Sequence, residues 1–432
     1  MTPDMPTLRV EVAFTVGAST STLLHLDDPG RGRLDTGSLG ATSTGAPVWE
    51  DITPWARAVS ITRGAGRVDT PIVQYEAGTL AVTLDNSDRR FDPSNLDGPY
   101  VDPINHTTQV TAMRAIRVLA TWANVTYELY RGFVDSWGVD WIAPAYSECT
   151  VTATDAFKVL AGIDRPALTT PVGTGETTGA RITRVLDSAQ WPTADRVLAT
   201  GDSAVQATTL EGAALGEMQT ATDAELGELY IDAGGRVVFR HRTALLTETR
   251  SAEPQALFGD GGGVELPYQD LDIATDDSTF FNTVRVTRSG GTEQVATDTA
   301  SQTLYYPRTF KPGDDLPLMT DTDALNYAQW ILYISRAPEL RFVELTVNPR
   351  SDPSALFPHA LGRALGDRIT VTRRPPGGGV ITADQFIRGI SHEISPQSWV
   401  TRWTLQSASK FGSFFTLDNV TLGRLDSNAL AY

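Results

Sequence analysis

The chain has 432 residues. A single hydrophobic core of ordinary size does not serve a chain of this length, so several domains are expected. Its formal net charge of -17 excludes a protein that grips nucleic acid through the phosphates, because such binding depends on many basic contacts. A single cysteine excludes an internal disulfide bond.

The N-terminal segment lacks a basic stretch followed by an apolar one, so no signal peptide is predicted. No uninterrupted apolar run approaches the ~18 residues that a membrane helix needs. We therefore expect synthesis in the cytoplasm and no membrane segment.

Residues 1–161 are predicted to form an N-terminal β-rich domain. Apolar residues recur at every second position of a first strand: Leu8, Val10, Val12, Phe14 and Val16. Residues 27–47 are rich in Gly, Ser, Thr and Asp, which indicates a long inserted surface loop. Short alternating runs separated by polar turns follow, among them 109–112, 116–122, 126–133 and 150–154.

Residues 78–100 are the most informative stretch. Leu80, Val82 and Leu84 alternate with smaller residues and predict a strand with one buried face. Short polar side chains then favour a long loop that bonds to its own backbone and is pinned by one aromatic residue. The residues singled out in this loop are Asp85, Asn86, Arg89, Arg90, Phe91 and Asp92.

Residues 162–263 are predicted to form an α+β middle module. A linker at 166–178 precedes apolar stripes at helical spacing over 182–189 and 207–221, the second capped by Ser203, and then a hairpin over 229–239. Residues 264–410 are predicted to form a second β-rich domain, with strands at 304–306 and 341–347 among others. A helix is predicted from about Asp323 to Ser335, capped near Thr320 or Thr322. Residues 411–432 are assigned to a C-terminal docking tail.

One pattern, L-D-x4-G-R-L-D-[ST]-x2-L, occurs near both ends of the chain. We interpret the two copies as one short docking element used twice, against equivalent surfaces of neighbouring subunits or of a partner ring; coincidence between Gly/Asp-rich turns is the alternative. The repeated residues are Leu26, Asp27, Arg33, Leu34 and Asp35, and Leu417, Asp418, Arg424, Leu425 and Asp426.

The sequence contains no phosphate-binding loop, zinc-protease motif, nucleophile elbow or paired C-x-x-C. Its five histidines are scattered, and Asp85 to Asp88 lack the acidic ladder and central glycine of a calcium loop. We therefore expect no catalytic residue, no metal ligand and no cofactor.

The stretch 78–100, with WEDIT (49–53), ITRG (61–64) and YRGFVDSW (130–137), resembles minor tail proteins of long-tailed, siphovirus-type actinobacterial phages. These proteins are similar to the baseplate-hub family, which includes the hub of contractile-tailed phages and the N-terminal part of tail-associated lysins. The resemblance covers about residues 8–407.

The resemblance implies an α+β, β-rich fold in which two β-barrel-like, tail-tube-like hub domains flank the middle module. It implies a homotrimeric ring at the virion tail tip that caps the tail tube, anchors adsorption proteins and lines the DNA exit channel without specific DNA binding. Expected partners are distal tail and tube proteins, the tape measure protein, and other minor tail proteins or receptor-binding fibres. The loop after residue 84 would fix a subunit or ring contact; alternatively, it only closes its own domain.

Two other functions are open. A tail-tip adhesin would bind host cell-wall carbohydrate through exposed aromatic side chains, but Trp49, Trp55, Trp137 and Trp141 fit alternating core positions. A cell-wall hydrolase is disfavoured, because tail-associated lysins carry their enzymatic domains after the hub, where this chain ends at Tyr432. We expect no enzymatic activity.

Overall fold

The computed structural model describes residues 4–16, 47–102, 106–143, 146–275, 277–313, 315–409 and 411. Both copies of the predicted docking element lie outside these residues, as do all of the inserted loop except residue 47 and all of the C-terminal tail after residue 411. The structure therefore does not test these predictions.

The described chain forms two compact units, each assembled from separate segments. Unit 1 comprises Met1–Ile61, Thr79–Asp155 and Glu393–Ser398, and unit 2 comprises Thr62–Gly78, Ala156–His392 and Trp399–Tyr432. The β-rich α+β class is confirmed. No closed barrel is found among the described strands, so the barrel-like hub domains are not confirmed. The division into four consecutive domains stays a prediction.

Unit 1 is built on one sheet with the strand order β3–β4–β9–β8–β7–β1–β2. Its strands, wholly or in part, are β1 (Thr7–Val16), β2 (Pro47–Asp51), β3 (Ala56–Gly64), β4 (Glu76–Asp85), β5 (Val101–Asp102), β6 (Thr107–Thr108), β7 (Ala115–Trp122), β8 (Val125–Ala143) and β9 (Tyr146–Thr154). A short 3₁₀ helix, Thr53–Trp55, follows β2.

The alternation of apolar residues along the strands determines which side chains of unit 1 are buried. In β4, Leu80, Val82 and Leu84 are all buried, as their spacing predicts.

The predicted strand at 109–112 is wrong. There the Arg114 side chain donates hydrogen bonds to the Gln109 carbonyl and the Thr111 hydroxyl, and the Gln109 N–H donates to the Tyr100 carbonyl at 2.7 Å, so the segment is held without forming a strand.

The main sheet of unit 2 has the order β17–β23–β24–β25–β22–β18, in which β17 and β23 are parallel. The strands that lie wholly or in part in this unit, after β9, are β10 (Asp164–Arg165), β11 (Glu176–Thr177), β12 (Arg196–Leu198), β13 (Ala204–Val205), β14 (Gly212–Ala213), β15 (Glu228–Ile231), β16 (Val237–Arg240), β17 (Pro254–Gly259), β18 (Asp270–Ala274), β19 (Thr283–Val286), β20 (Gln294–Thr297), β21 (Thr309–Phe310), β22 (Arg341–Val347), β23 (Arg368–Arg373), β24 (Ile381–Ser395) and β25 (Ser398–Ser407).

The α-helices of unit 2 are α1 (Ala156–Gly162), α2 (Thr178–Ser188), α3 (Ala214–Glu225), α4 (Ala244–Thr247), α5 (Thr249–Ala252), α6 (Thr299–Tyr305), α7 (Asp321–Ser335) and α8 (Pro353–Gly362). The 3₁₀ helices are Thr193–Asp195 and Pro349–Ser351. No helix of the described residues is long and apolar enough to cross a membrane.

Two helix predictions succeed and one fails. Helix α2 forms where the apolar stripe over 182–189 predicts a helix. Helix α7 begins with the predicted cap, in which the side chains of Thr320 and Asp323 each accept a hydrogen bond from the other residue's backbone N–H. The helix predicted over 207–221 starts only at Ala214. Leu210 has a left-handed backbone, φ 53°, and the Ser203 N–H donates to the Glu225 carboxylate, so neither residue takes its predicted role.

The strand predicted at 304–306 is also wrong, because residues 304 and 305 lie in α6. The Asp298 side chain accepts a hydrogen bond from the Ser301 N–H at 2.9 Å and caps the helix. Leu304 and Tyr305 belong to the last turn of α6, and Tyr306 follows it.

The hairpin of β15 and β16 is confirmed and is buried on both faces. One face carries Leu229 and Phe239 into a core formed with α1, α2 and α3. The opposite face carries Tyr230 and Val238 into the core of the main sheet of unit 2. The hairpin therefore joins the helices of the middle segment to that sheet.

A buried ionic network lies at this hairpin. The carboxylate of Glu228 accepts hydrogen bonds from Arg388 on β24 and, at 3.2 Å, from Arg240 on β16. Arg388 also donates to the Tyr75 hydroxyl at 3.1 Å, and Arg240 to Glu248 at 2.6 Å. Burial acts to raise the pKa of Glu228, but the two guanidinium groups outweigh burial and hold that pKa below its usual value.

We expect Glu228→Gln to lower the free energy of unfolding by about 3–5 kcal/mol, because it leaves the fully buried Arg388 without its anionic partner. Urea denaturation at pH 7 measures this loss. The matched control is Glu293→Gln, whose carboxylate makes exposed pairs with Arg285 and Lys311 and should contribute only about 0–1 kcal/mol. Equal losses in the two variants would show that the buried network does not hold unit 2 together.

Candidate contact site after strand β4

The loop after β4 is organised by Asn86, whose side chain is fully buried. Its backbone N–H donates to the Ser147 carbonyl of β9 at 2.8 Å. Its side-chain oxygen accepts from the Phe91 N–H at 2.9 Å, and its carbonyl accepts from the Arg89 N–H at 2.9 Å. Asn86 thus fastens the loop to the sheet and closes the first turn.

Short acidic side chains complete the turns that follow. Asp85 accepts hydrogen bonds from the N–H and hydroxyl of Ser87 at 3.0 and 2.8 Å. Asp92 does the same for Ser94 at 2.9 and 2.7 Å. These are the local side-chain bonds by which Asp stabilises turns, so the loop is bonded to itself as its composition indicates.

Phe91 is the aromatic anchor of the loop and is fully buried. Its ring stacks on Trp137 with centroids 6.0 Å apart and meets the edge of Trp55 at 5.9 Å. Tyr100, where the loop ends, stacks on Phe14 at 3.8 Å. The middle of the loop and its end are therefore packed into the same aromatic cluster of unit 1.

The two arginines lie at the outer side of the loop, each beside an aromatic ring. Arg89 donates two hydrogen bonds to Asp92, and its guanidinium lies 5.3 Å from the Trp141 ring centroid. Arg90 pairs with Asp88 and lies 3.7 Å from the Trp55 centroid. The side chain of Arg89 remains 48% exposed, so its guanidinium is open to further contacts.

Hydrogen bonds keep the acidic groups of the loop charged. Those from Arg57 and Ser87 lower the pKa of Asp85 to about 2. Burial acts to raise the pKa of Asp92, but hydrogen bonds from Ser94 and Arg89 outweigh it and that pKa is lowered. Behind the loop, burial raises the pKa of the Cys149 thiol to about 12, which makes this thiol unreactive at neutral pH.

The structure brings all six predicted residues together in one loop, but in two roles. Asn86, Phe91 and Asp92 are buried and hold unit 1 together, and Asp85 is tied to Arg57 and Ser87. The outward groups are the arginines. A contact with a neighbouring subunit stays a prediction, as does the alternative of a loop that only closes its own domain.

Sequence reasoning missed the exposure of Trp141, which is 60% exposed together with Ile142 at 59%. None of the four tryptophans expected in the core is fully buried. Trp141 is exposed because β8 continues for ten residues beyond Phe133, where its pairing with β7 ends. Alternation along one strand cannot reveal where a neighbouring strand stops.

Within the described residues, no group of three or more His, Cys, Asp or Glu side chains could hold a metal ion. The arrangement after β4 consists of ion pairs, packed rings and one half-exposed guanidinium group, that of Arg89. Arg and aromatic side chains are the types that are enriched in protein interfaces.

The fold is one that phage tail proteins share. A tail protein of Neisseria meningitidis MC58 aligns with 84% of this chain and 94% of its own, with a TM-score of 0.55 and 13% identity. A 43 kDa tail protein of prophage MuSo2 from Shewanella oneidensis aligns with 84% of this chain and 97% of its own, with a TM-score of 0.52 and 13% identity.

A third solved structure is more distant. It is a component of the type VI secretion system of E. coli, described as similar to the T4 bacteriophage tail proteins gp27 and gp5. It aligns with 82% of this chain and 74% of its own at 8% identity, and its TM-score of 0.40 does not establish a shared fold. No protein-family model and no curated protein sequence matches the chain.

We expect Asn86→Ala to lower the free energy of unfolding by about 1–3 kcal/mol, because the buried Phe91 N–H loses its acceptor. The control, Asp97→Ala, changes an exposed residue of the same loop and should stay within about 0.5 kcal/mol of the wild type. Urea denaturation measures both. An Asn86→Ala loss no larger than that of the control would contradict the organising role of Asn86.

Proposed function

We propose that this chain is a structural protein of a phage tail tip: a hub that caps the tail tube, anchors adsorption proteins and lines the DNA exit channel. The observation that carries this proposal is the likeness to two phage tail proteins over 84% of the chain. The sequence resemblance to minor tail proteins of siphovirus-type phages supports the tail-tip position. Fold likeness alone does not fix function, so the particle itself must be tested.

The proposed assembly is a homotrimeric ring. In this ring the two β-rich regions of each chain would form tail-tube-like, barrel-like domains, so that three chains match a sixfold tube. A closed ring also lets neighbouring copies cover strand edges that would otherwise be exposed. Its partners would be the tube and distal tail proteins, the tape measure protein, and other minor tail proteins or fibres.

The charge of the chain suits the proposed channel. With a net charge of -17, a ring of copies would repel passing DNA rather than bind it. This proposal assigns no catalytic step, metal or cofactor to the chain. Release of soluble fragments from host cell walls by the purified protein would contradict a purely structural role.

Immunogold labelling of intact phage particles tests the proposed position. We expect gold particles at the far end of the tail and on its axis when the particles are viewed by electron microscopy. Antibody adsorbed with the purified chain is the control and should leave the tails unlabelled. Labelling of the capsid, or no labelling of the particle, would overturn both the hub and a tail-tip adhesin.

The loop after β4 supports a subunit contact through its arginines. We expect Arg89→Ala combined with Arg90→Ala to reduce the yield of complete tails about tenfold. The reason is that planar guanidinium groups pair with carboxylates of an adjacent subunit. The yield is measured by counting complete particles in electron micrographs.

The matched control is Arg285→Ala combined with Arg402→Ala, which removes two exposed arginine side chains from unit 2. Complete assembly with the Arg89/Arg90 variant would reject the contact role. Its loop would then serve only to close unit 1.

A tail-tip adhesin that binds host cell-wall carbohydrate is the second candidate. The exposure of Trp141 favours it, because an exposed aromatic ring offers a stacking surface that core tryptophans could not supply. In the immunogold experiment, labelling of lateral fibres rather than of the tail axis would place this candidate first.

A further inference from the structure

The part of β8 that continues past its pairing with β7 forms a hairpin with β9, and the two faces of this hairpin differ. Successive residues of a strand point to opposite faces, so Asp140 and Trp141 lie on different faces. In the register, Glu148 lies opposite Asp140, and Ser147 lies opposite Trp141. We call the face that carries Trp141 the aromatic face and the face that carries Asp140 the acidic face.

The aromatic face is continuous with the loop after β4. Trp137 lies on this face, two turns of the alternation before Trp141, and its ring stacks on Phe91 of the loop. The guanidinium of Arg89 lies 5.3 Å from the Trp141 ring centroid. Because Trp141 is 60% exposed and the Arg89 side chain is 48% exposed, this face offers both a ring and a cation to a partner.

Three carboxylates stand in a row on the acidic face, across three neighbouring strands. Glu148 of β9 lies directly opposite Asp140 of β8 on one side and directly opposite Asp85 of β4 on the other. Side chains that lie opposite each other in an antiparallel pair share a face, with their Cβ atoms about 5 Å apart. Like charges at this spacing repel each other, so the row lowers the stability of unit 1.

The two ends of the row differ in their surroundings. At the β4 end, Arg57 donates a hydrogen bond to Asp85 at 2.6 Å and neutralises it. In the middle, the uncharged hydroxyl of Tyr146 donates to Glu148. Asp140, at the β8 end, is exposed. A cation that approaches from outside is therefore attracted to the end formed by Asp140 and Glu148.

The aromatic face and the acidic face complement each other in charge. Two copies of a chain with a net charge of -17 repel each other, so a contact between copies needs opposite charges at the contact itself. A second copy supplies them, because one face of the hairpin carries Arg89 and the other carries the row of carboxylates. A contact between two different surfaces of the same chain is the kind that generates rings.

We propose that the aromatic face of one copy docks on the acidic face of the next copy, with Arg89 paired to Asp140 and Glu148 of its neighbour. The guanidinium group of arginine suits two carboxylate acceptors, and the Trp141 ring beside it excludes water from the pair. This inference rests on the proposed tail-tip ring and names the surface that receives the loop after β4.

Charge reversal in phage particles tests this docking. Arg89→Glu and Asp140→Arg each place like charges across the contact, so each alone should reduce the yield of complete tails about tenfold or more. The two changes together restore opposite charges, and the yield should rise about fivefold or more above either single variant. Arg89 and Asp140 lie on opposite faces of their own hairpin, so this rescue requires a neighbouring copy.

The matched control is Glu128→Arg. It makes the same change of charge at an exposed residue of the same strand, about 40 Å from Asp140 along β8. Tails of this variant should be as numerous as those of the wild type. A loss equal to that of Asp140→Arg would show that the charge of the whole chain, and not the acidic face, decides assembly.

Purified Asp140→Arg separates assembly from folding. The change removes one of the like charges in the row, so its urea midpoint should be equal to or higher than that of the wild type although fewer tails assemble. A lower midpoint would assign Asp140 a structural role and contradict the docking.

Photo-cross-linking provides a readout that leaves Arg89 and its bonds to Asp92 in place. A benzophenone amino acid replaces Gly138, which is exposed on the acidic face opposite Thr150, and replaces Glu128 in the control phage. We expect irradiation of purified particles to join two copies of the chain through position 138 and through residues 86–100. Position 128 should give no such adduct.

The remaining outcomes separate the docking from the tail function. Particles that contain the chain but join position 138 to a different protein, or to nothing, would overturn the docking and leave the tail function intact. Normal assembly of both single reversals would do the same. Wild-type particles that lack the chain would overturn the tail function and the docking with it.

Discussion

The buried carboxylate of Glu228 is the interaction on which unit 2 depends. A lone charge in this position would be very costly, and the two guanidinium groups of Arg388 and Arg240 offset that cost only while β15, β16 and β24 stay in register. The same hairpin carries apolar side chains into two cores, one on each face. The helices of the middle segment and the main sheet therefore cannot separate without exposing both cores and the network together.

Unit 1 secures its long loop by a different means. Asn86 and Phe91 provide one buried amide and one buried ring, and almost all other bonds of the loop are local. Local hydrogen bonds do not require residues that are distant in sequence to be ordered. The loop is therefore stable without contacts made by its outer surface. Arg89 can consequently carry a half-exposed guanidinium while the loop beneath it stays fixed.

Much of the fold could be predicted from sequence wherever one strong pattern dominated. The alternation of β4, the bounds of β22 and the Thr320 cap of α7 are local signals, and the structure confirms them. The failures arose where a distant partner decided the outcome. The Ser203 N–H bonds to a carboxylate on α3, and Trp141 lies on the part of β8 that continues past its pairing with β7, so neither outcome is encoded in the neighbouring residues.

The same distinction explains why the candidate surfaces could not be found from sequence. An apolar residue in a short run is predicted to be buried, and Trp141 and Ile142 both fit that pattern. Only the complete fold shows that they remain exposed after each unit has filled its core. A protein whose function is assembly must keep such residues outside, because an interface buries apolar groups that folding leaves uncovered. The function of this chain is therefore to be sought where its local pattern and its fold disagree.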